Sequence, residues 1–352
     1  MKNKNNTKHH FPEANKIPGL CYVFTDTGLE LPVLDITHPL FDAGINEQVL
    51  EDLRRKSAQA AESMRAMPEA QKKMIAEKSY IFGTHYYEDL EATYLRGMST
   101  YMLKLGPHLI GGGEERSIDR MMTMGVSGIS ARKRLRDLCS LQADLLMPYL
   151  RDKPQKKLCF VNIAGGAASD SINTLFLILK KNPSLLGNRK IEIVVFEIDH
   201  YGPHFAEKSI DALKGDGGPF YGLNLSFCFE NSGWQETEVL KDFLSQRQED
   251  LVFCSSEGGL FEYGKDKEIL KNLKVLYHYT PAATRIAGTV LHTKDKVDPT
   301  ITAMAETSGA ALRFFGLDGL NTILASTQWE LETFLEDNPV YGVFALRKKS
   351  LS

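Results

Sequence analysis

From Pro154 onward the chain alternates short, continuous apolar runs with amphipathic stretches. The runs Leu158 to Ala164, Ile191 to Phe196, Leu223 to Phe229, Leu251 to Cys254 and Gly288 to His292 have the length and composition of buried strands. Between them, Ile172 to Leu179, Phe205 to Leu213, Glu236 to Leu244 and Lys267 to Leu276 carry apolar residues at helical spacing. Apolar strands that alternate with helices predict a parallel sheet covered on both faces. Right-handed crossovers then give the doubly wound form. Two more strand signals, Thr322 to Thr327 and Tyr341 to Leu346, follow with an acidic segment between them.

The first 150 residues have a different texture. Glu47 to Arg65, Glu69 to Lys78 and His85 to Leu105 are predicted to be helical. Pro107 and Gly111-Gly112-Gly113 interrupt this pattern. A further helix is expected from about Ser130, with Leu135, Leu138, Leu141, Leu145 and Leu146 facing inward and Pro148 and Pro154 at its end. Leu20 to Leu34 predicts a hairpin turning at Thr25-Asp26-Thr27-Gly28. The chain therefore divides into a mainly helical cap, 1–150, and an α/β domain, 151–352. Within the last predicted helix of the cap, Arg132-Lys133-Arg134 and Arg136 form a basic cluster expected to be a solvated helix face.

Composition narrows the classes. Hydrophobic content of 43% and charged content of 25% are those of a soluble globular protein. A net charge of −3 gives no reason to expect nucleic acid, and no apolar run has the length of a membrane span. The five cysteines are scattered, with no CxxC pair, which points to a reducing, cytoplasmic setting without disulfides. No HxxxH or HExxH spacing is read as supporting a metal site, and none is expected.

The first strand of the α/β half ends in Ala164-Gly165-Gly166-Ala167-Ala168-Ser169-Asp170. Small residues there let the backbone turn sharply into a helix N-terminus, where a ligand can approach. The pattern is not GxGxxG. The second strand ends in Glu197-Ile198-Asp199, and a carboxylate at that point can accept both hydroxyls of a ribose. Together these features favour a ribose-bearing cofactor at the carboxyl ends of the strands. A nicotinamide-dependent oxidoreductase and a non-catalytic nucleoside-binding module are the competing readings.

Phe160 to Asp170 and Val195 to Asp199 resemble the first and second motifs of the class I S-adenosylmethionine-dependent methyltransferase superfamily. The resemblance runs through the third and fourth strands to Tyr341 to Lys348, covering most of the α/β half. It implies a doubly wound, seven-stranded, mostly parallel sheet with an antiparallel C-terminal strand. It implies S-adenosylmethionine as cofactor, with Gly165, Gly166, Ala167 and Asp170 in the loop that lines it and Glu197 on the ribose. Ile198 would pack on adenine, Asn231 and Ser232 would lie near the adenine amino group, and Ser255, Ser256 and Glu257 would face the transferred methyl. Arg132 is a candidate for the cofactor's carboxylate. A fainter similarity to leucine carboxyl methyltransferases rests on Glu197-Ile198-Asp199 and Ser256 to Tyr263.

Methyl transfer is an in-line displacement that depends mainly on positioning. A base helps only where the acceptor has a proton to lose, and Glu257 and His292 are the candidates. His200, His204 and His278 also stand near predicted element ends. The aromatic segment Tyr80 to Tyr87, with His85 and Tyr86, and Tyr263 are candidate walls for a small-molecule acceptor. The expected partner is that acceptor alone, with neither nucleic acid nor membrane, and a homodimer is left open.

Overall fold

The computed structural model describes residues 8–41, 44–81, 96–111, 117–308 and 311–350. Its centre is a seven-stranded sheet built from β3 (Leu158–Ile163), β4 (Ile191–Glu197), β5 (Leu225–Asn231), β6 (Leu251–Ser256), β7 (Arg285–Leu291), β8 (Trp329–Leu335) and β9 (Tyr341–Lys348). The strand order is β5-β4-β3-β6-β7-β9-β8. β3 pairs in parallel with β4 and β6, β4 with β5, and β6 with β7, while β9 runs antiparallel between β7 and β8. The order reverses at β3, which puts the carboxyl ends of β3, β4 and β6 around one crevice.

The continuous apolar strands split their side chains between two faces, as the pleat requires. Leu158, Phe160, Ile191, Ile193, Val195 and Phe253 enter one core, with α5 (Val126–Asp152), α6 (Ser169–Lys181) and α7 (Tyr201–Lys214). Cys159, Val161, Ile163, Val194, Phe196 and Cys254 enter the other, with α8 (Thr237–Ser245), α10 (Asp266–Tyr279) and α12 (Gly316–Ala325). Short α9 (Gly259–Tyr263) follows β6, and α11 (Pro299–Ser308) follows β7. All five cysteines are free thiols.

The N-terminal region comprises the hairpin β1 (Tyr22–Phe24) and β2 (Glu30–Pro32), then α1 (Glu47–Ala66), α2 (Glu69–Lys78), α3 (Gly97–Leu109) and α4 (Ser117–Met124). It shares the first core: Leu29, Leu31, Leu34, Met98, Tyr101 and Leu105 belong to the same cluster as Phe160 and Phe205. Tyr101 ties these pieces together, because its hydroxyl donates to Pro32 O (2.7 Å) and accepts from Leu34 N (2.8 Å) while its ring packs edge-on to Phe205. Among the described residues no helix is long and apolar enough to cross a membrane.

Three expectations are corrected. Thr322 to Thr327 is no strand; it lies at the end of α12 and the turn after it, and the acidic segment beyond supplies β8. The long helix begins at Val126 rather than near Ser130, and it passes through Pro148 to Asp152. Pro148 and Asp144, the residue one turn before it, both face solvent, so water can satisfy the carbonyl that loses its partner. The basic cluster is not a solvated face: Arg132, Lys133 and Arg134 are all buried, and Arg136 is half-buried. Of the predicted segment His85 to Leu105, helix is described from Gly97.

Candidate cofactor and active site

Between β3 and α6 the backbone takes left-handed φ at Ala164 (53°), Gly166 (49°) and Ala168 (49°). That conformation costs an alanine roughly 1–2 kcal/mol and persists only where its surroundings enforce it. Asn162, the one polar residue of β3, holds the base of the loop. Its amide donates to Val194 O (2.9 Å), and its Oδ1 accepts from Ser171 Oγ (2.8 Å) and Ser255 Oγ (3.1 Å), joining β4, α6 and β6. A Cβ on residue 165 would come within 2.4 Å of the Asn162 Cβ. Gly166 lies against two other glycines: a Cβ on Gly97 would meet its Cα at 2.8 Å, and one on Gly202 its carbonyl carbon at 2.7 Å. The starts of α3 and α7 therefore close directly on the loop, and glycine is required there by the protein's own packing.

Ala167, within the loop, is buried. Asp170, in the first turn of α6, is enclosed rather than presented: its Oδ2 accepts from Gln142 Nε2 (3.2 Å), and burial raises its carboxyl above the usual range.

At the end of β4, Glu197 folds its carboxylate back over the loop. Oε2 accepts from Gly166 N (3.3 Å), and Oε1 accepts from Ile198 N (2.9 Å) and Asp199 N (3.3 Å). These three donors are backbone amides, and burial pushes the carboxyl up to about 7. Ile198 beside it is 36% exposed, one of few large apolar side chains left open. Asn231, exposed, ends β5 opposite Glu197, and Ser232, buried, returns a backbone bond to the Glu197 carbonyl (3.2 Å). Asp199 is 5% exposed, and its Oδ2 has no hydrogen-bond partner.

Beyond β6 the predicted Glu257 sits in a buried quartet of charges. Lys104 of α3 donates to its Oε2 (2.8 Å) and Arg134 of α5 to its Oε1 (3.2 Å), while Arg134 also donates to Glu262 of α9 (2.8 Å). Thr289 of β7 completes the set by donating to Glu262 (3.1 Å), and the Arg134 guanidinium lies over the Tyr341 ring. Burial pushes the Tyr341 hydroxyl up to about 12. Ser255 and Ser256 are buried and turned inward, on Asn162 and on the Gly258 carbonyl respectively. Tyr263 is half-buried and lies close enough to Arg134 to act on its charge.

The other expected residues fall elsewhere. Arg132 donates to Thr123 O (2.8 Å) and packs under Gly106, so its neighbour Arg134 is the arginine that reaches the strand ends. His292 is buried, and its Nε2 is bonded to Asn338 O (2.8 Å). His85 and Tyr86 lie outside the described residues. Reasoning from sequence missed Lys104, Arg134 and the Gly97 and Gly202 contacts, because their partners are remote along the chain. His200 and His204, expected only as histidines near element ends, do stand at HxxxH spacing, contrary to the sequence reading; with Asp26 they form a group of ligand atoms lying within 4.8 Å of one another.

Parallel β5-β4-β3-β6-β7 closed by an antiparallel β9 inserted before β8 is the class I methyltransferase arrangement. The chain has that fold. No family model and no curated protein matches it in sequence. Among solved structures it is similar to a possible exported protein from Bordetella parapertussis, at 12% identity and a TM-score of 0.54, covering 86% of this chain and 96% of that one. It also aligns with OxaC at 16% identity and a TM-score of 0.41, over 64% of this chain and 51% of that one, so it spans about half of that protein. A third alignment is with magnesium protoporphyrin IX methyltransferase from Synechocystis PCC 6803 with bound SAH, at 13% identity and a TM-score of 0.37, over 62% of this chain and 87% of that one. At 12% identity the likeness to the Bordetella protein is one of fold.

Proposed function

We propose that the protein binds S-adenosylmethionine at the ends of β3 and β4 and transfers its methyl group to a small molecule. The observation that carries this reading is the pair Glu197–Ile198. A half-buried carboxylate bonded to backbone amides, with no cation paired to it among the described residues, retains acceptor capacity for a ribose. The exposed Ile198 next to it offers an apolar surface for a purine. The residues fit an adenosyl cofactor: Glu197 on the ribose, Ile198, Asn231 and Ser232 around the base, and the Gly165–Ala167 loop beside the amino-acid portion. Bound S-adenosylmethionine supplies an activated methyl on a sulfonium.

The chain's part is to orient two reactants and exclude water. Lys104, Arg134, Glu257 and Glu262 wall the end of β6, and the N-terminal region closes on the loop through Gly97. We assign the acceptor to the side of this wall that faces the 1–150 region, with Tyr263 as a candidate contact. No general base is assigned: Glu257 is engaged by two cations, and His292 is committed to a carbonyl.

Calorimetric titration with S-adenosylmethionine, S-adenosylhomocysteine and NAD tests the reading. The adenosyl compounds are expected to bind at one site, and Glu197→Ala should weaken S-adenosylhomocysteine by at least ~1 kcal/mol, the worth of a lost charged hydrogen bond. Tight NAD binding with no response to the adenosyl compounds would overturn it. So would unchanged affinity in a folded Glu197→Ala protein.

A further inference from the structure

His200 caps the start of α7, and His204 lies one turn along, its amide bonded to the His200 carbonyl (3.0 Å). Residues at this spacing share one helix face, and the two rings stand 5.2 Å apart. Asp26 meets them from the β1–β2 turn. That turn is itself fixed, with Gly28 N donating to Thr25 O (3.0 Å) and Leu29 N to Thr25 Oγ1 (3.0 Å). Asp26 Oδ2 lies 2.6 Å from His204 Nδ1, and Lys208, a further turn along α7, holds Oδ1 at 2.5 Å. Two imidazoles and a carboxylate, each on a rigid element, thus converge on one point.

We propose that Asp26, His200 and His204 bind one divalent transition-metal ion, of the zinc or cobalt(II) kind, which clamps the N-terminal hairpin to α7. The inference does not rest on the methyltransferase reading. Imidazole and carboxylate are the ligands these ions accept, with zinc bound at about 2.0–2.2 Å and its ligand atoms therefore about 3.3 Å apart. The three ligand atoms already lie within 4.8 Å of one another, so rotation of partly exposed imidazoles closes the set without moving backbone. His204 Nδ1 now shares a hydrogen with Asp26, and the ion takes the place of that hydrogen. A helix N-terminus repels a cation weakly, and Lys208 offsets part of the Asp26 charge. A second carboxylate answers both. Asp199, immediately before His200, is 5% exposed, its Oδ2 lacks a hydrogen-bond partner, and it lies within electrostatic reach of Arg96, His200 and His204. An orphaned buried carboxylate oxygen next to the pair of imidazoles is what a bound cation would compensate.

The test is titration of metal-stripped, full-length protein with Co2+ and then Zn2+, followed by visible absorption and calorimetry. One ion per chain is expected, with the absorption bands of four- or five-coordinate cobalt, displaced by zinc. His200→Gln and His204→Gln should each weaken binding tenfold or more, while a His9→Gln/His10→Gln protein binds as before. Absence of a cobalt band at millimolar metal overturns the proposal, as does binding lost only in the His9/His10 variant. Should His204→Gln or Asp26→Asn loosen the hairpin, His200→Gln decides alone, since that side chain is exposed; unchanged affinity in the folded variant overturns the site. S-adenosylhomocysteine titrated into the same samples reports on the cofactor site separately.

Discussion

At the scale of single residues, Glu197 sets a pH dependence. Burial raises its carboxyl to about 7, so in the free protein the group is about half protonated near neutrality. Ribose hydroxyls donate to the ionised form and favour it, which makes binding release a proton. The sign follows: affinity for S-adenosylhomocysteine rises from pH 6 to 8, levels off above, and falls by up to about tenfold per unit below 7. Calorimetry in phosphate and in Tris should give different heats at pH 7, the difference measuring the released proton. Equal heats with pH-independent affinity would remove Glu197 from the ribose. The carboxylate itself was legible, because an acidic residue closing an apolar strand stands out. Asn162 was legible only as an oddity, since its partners Val194, Ser171 and Ser255 are joined to it by folding alone.

At the scale of elements, α5 carries the largest departure from the sequence reading. Its cluster of three basic residues has the look of a solvated face, and a charge run usually is one. Here most counter-charges come from elsewhere: Glu257 and Glu262 on Arg134, and Asp337 on Lys133, which also meets Asp137 one turn along α5. Spacing along α5 could not reveal partners beyond β6 or in the turn before β9. The quartet of Lys104, Arg134, Glu257 and Glu262 is neutral as a whole, and its members are buried. Removing one member leaves an uncompensated charge, so Arg134→Met should destabilise by about 3–5 kcal/mol in urea melts. Adding Glu262→Gln should recover part of that loss. Additive losses in the double variant would show that the pair is not coupled.

A second departure lies at the end of the sheet. Thr322 to Thr327 reads as β because Ile323 and Leu324 sit between threonines, yet those residues belong to a helix whose inner face includes Leu320, Ile323 and Leu324. Trp329-Glu330-Leu331-Glu332 alternates apolar with acidic, the period of a strand with one wet face. Counting its charge concealed that period. β8 is the outer strand, and its acids meet basic partners on β9 beside it and on β7 beyond: Glu330 pairs with Arg347 of β9 and Glu332 with Arg285 of β7.

At the scale of the whole molecule, the parallel, doubly wound character of the α/β half was readable from local apolar period and crossover handedness, while the antiparallel C-terminal strand came from the family resemblance and the order of the strands from the structure. The way the N-terminal region enters was not. Its hairpin and α3 share a core with the sheet and touch the loop after β3 through Gly97, contacts that no window of sequence contains.

The insertion of β9 between β7 and β8 also governs how the protein is made. Leu291 ends β7 and Tyr341 begins β9, so 49 residues separate the two. At about 5–20 residues per second, synthesis leaves the apolar edge of β7 unpaired for some 2–10 s. An open strand edge recruits other chains, and β8 does not cover it in the finished sheet, where the backbone of β8 pairs with β9 and that of β9 with β7. A chain cut before Tyr341 should therefore accumulate in the insoluble fraction, whereas one cut after Lys348 should stay in the supernatant. Fractionation of the two after expression measures the difference, and equal solubility would show that α12 or another element shields the waiting strand. Newly made copies of this protein are most at risk of aggregation in that interval, when nearly the whole fold has been synthesised and one edge still waits for its partner.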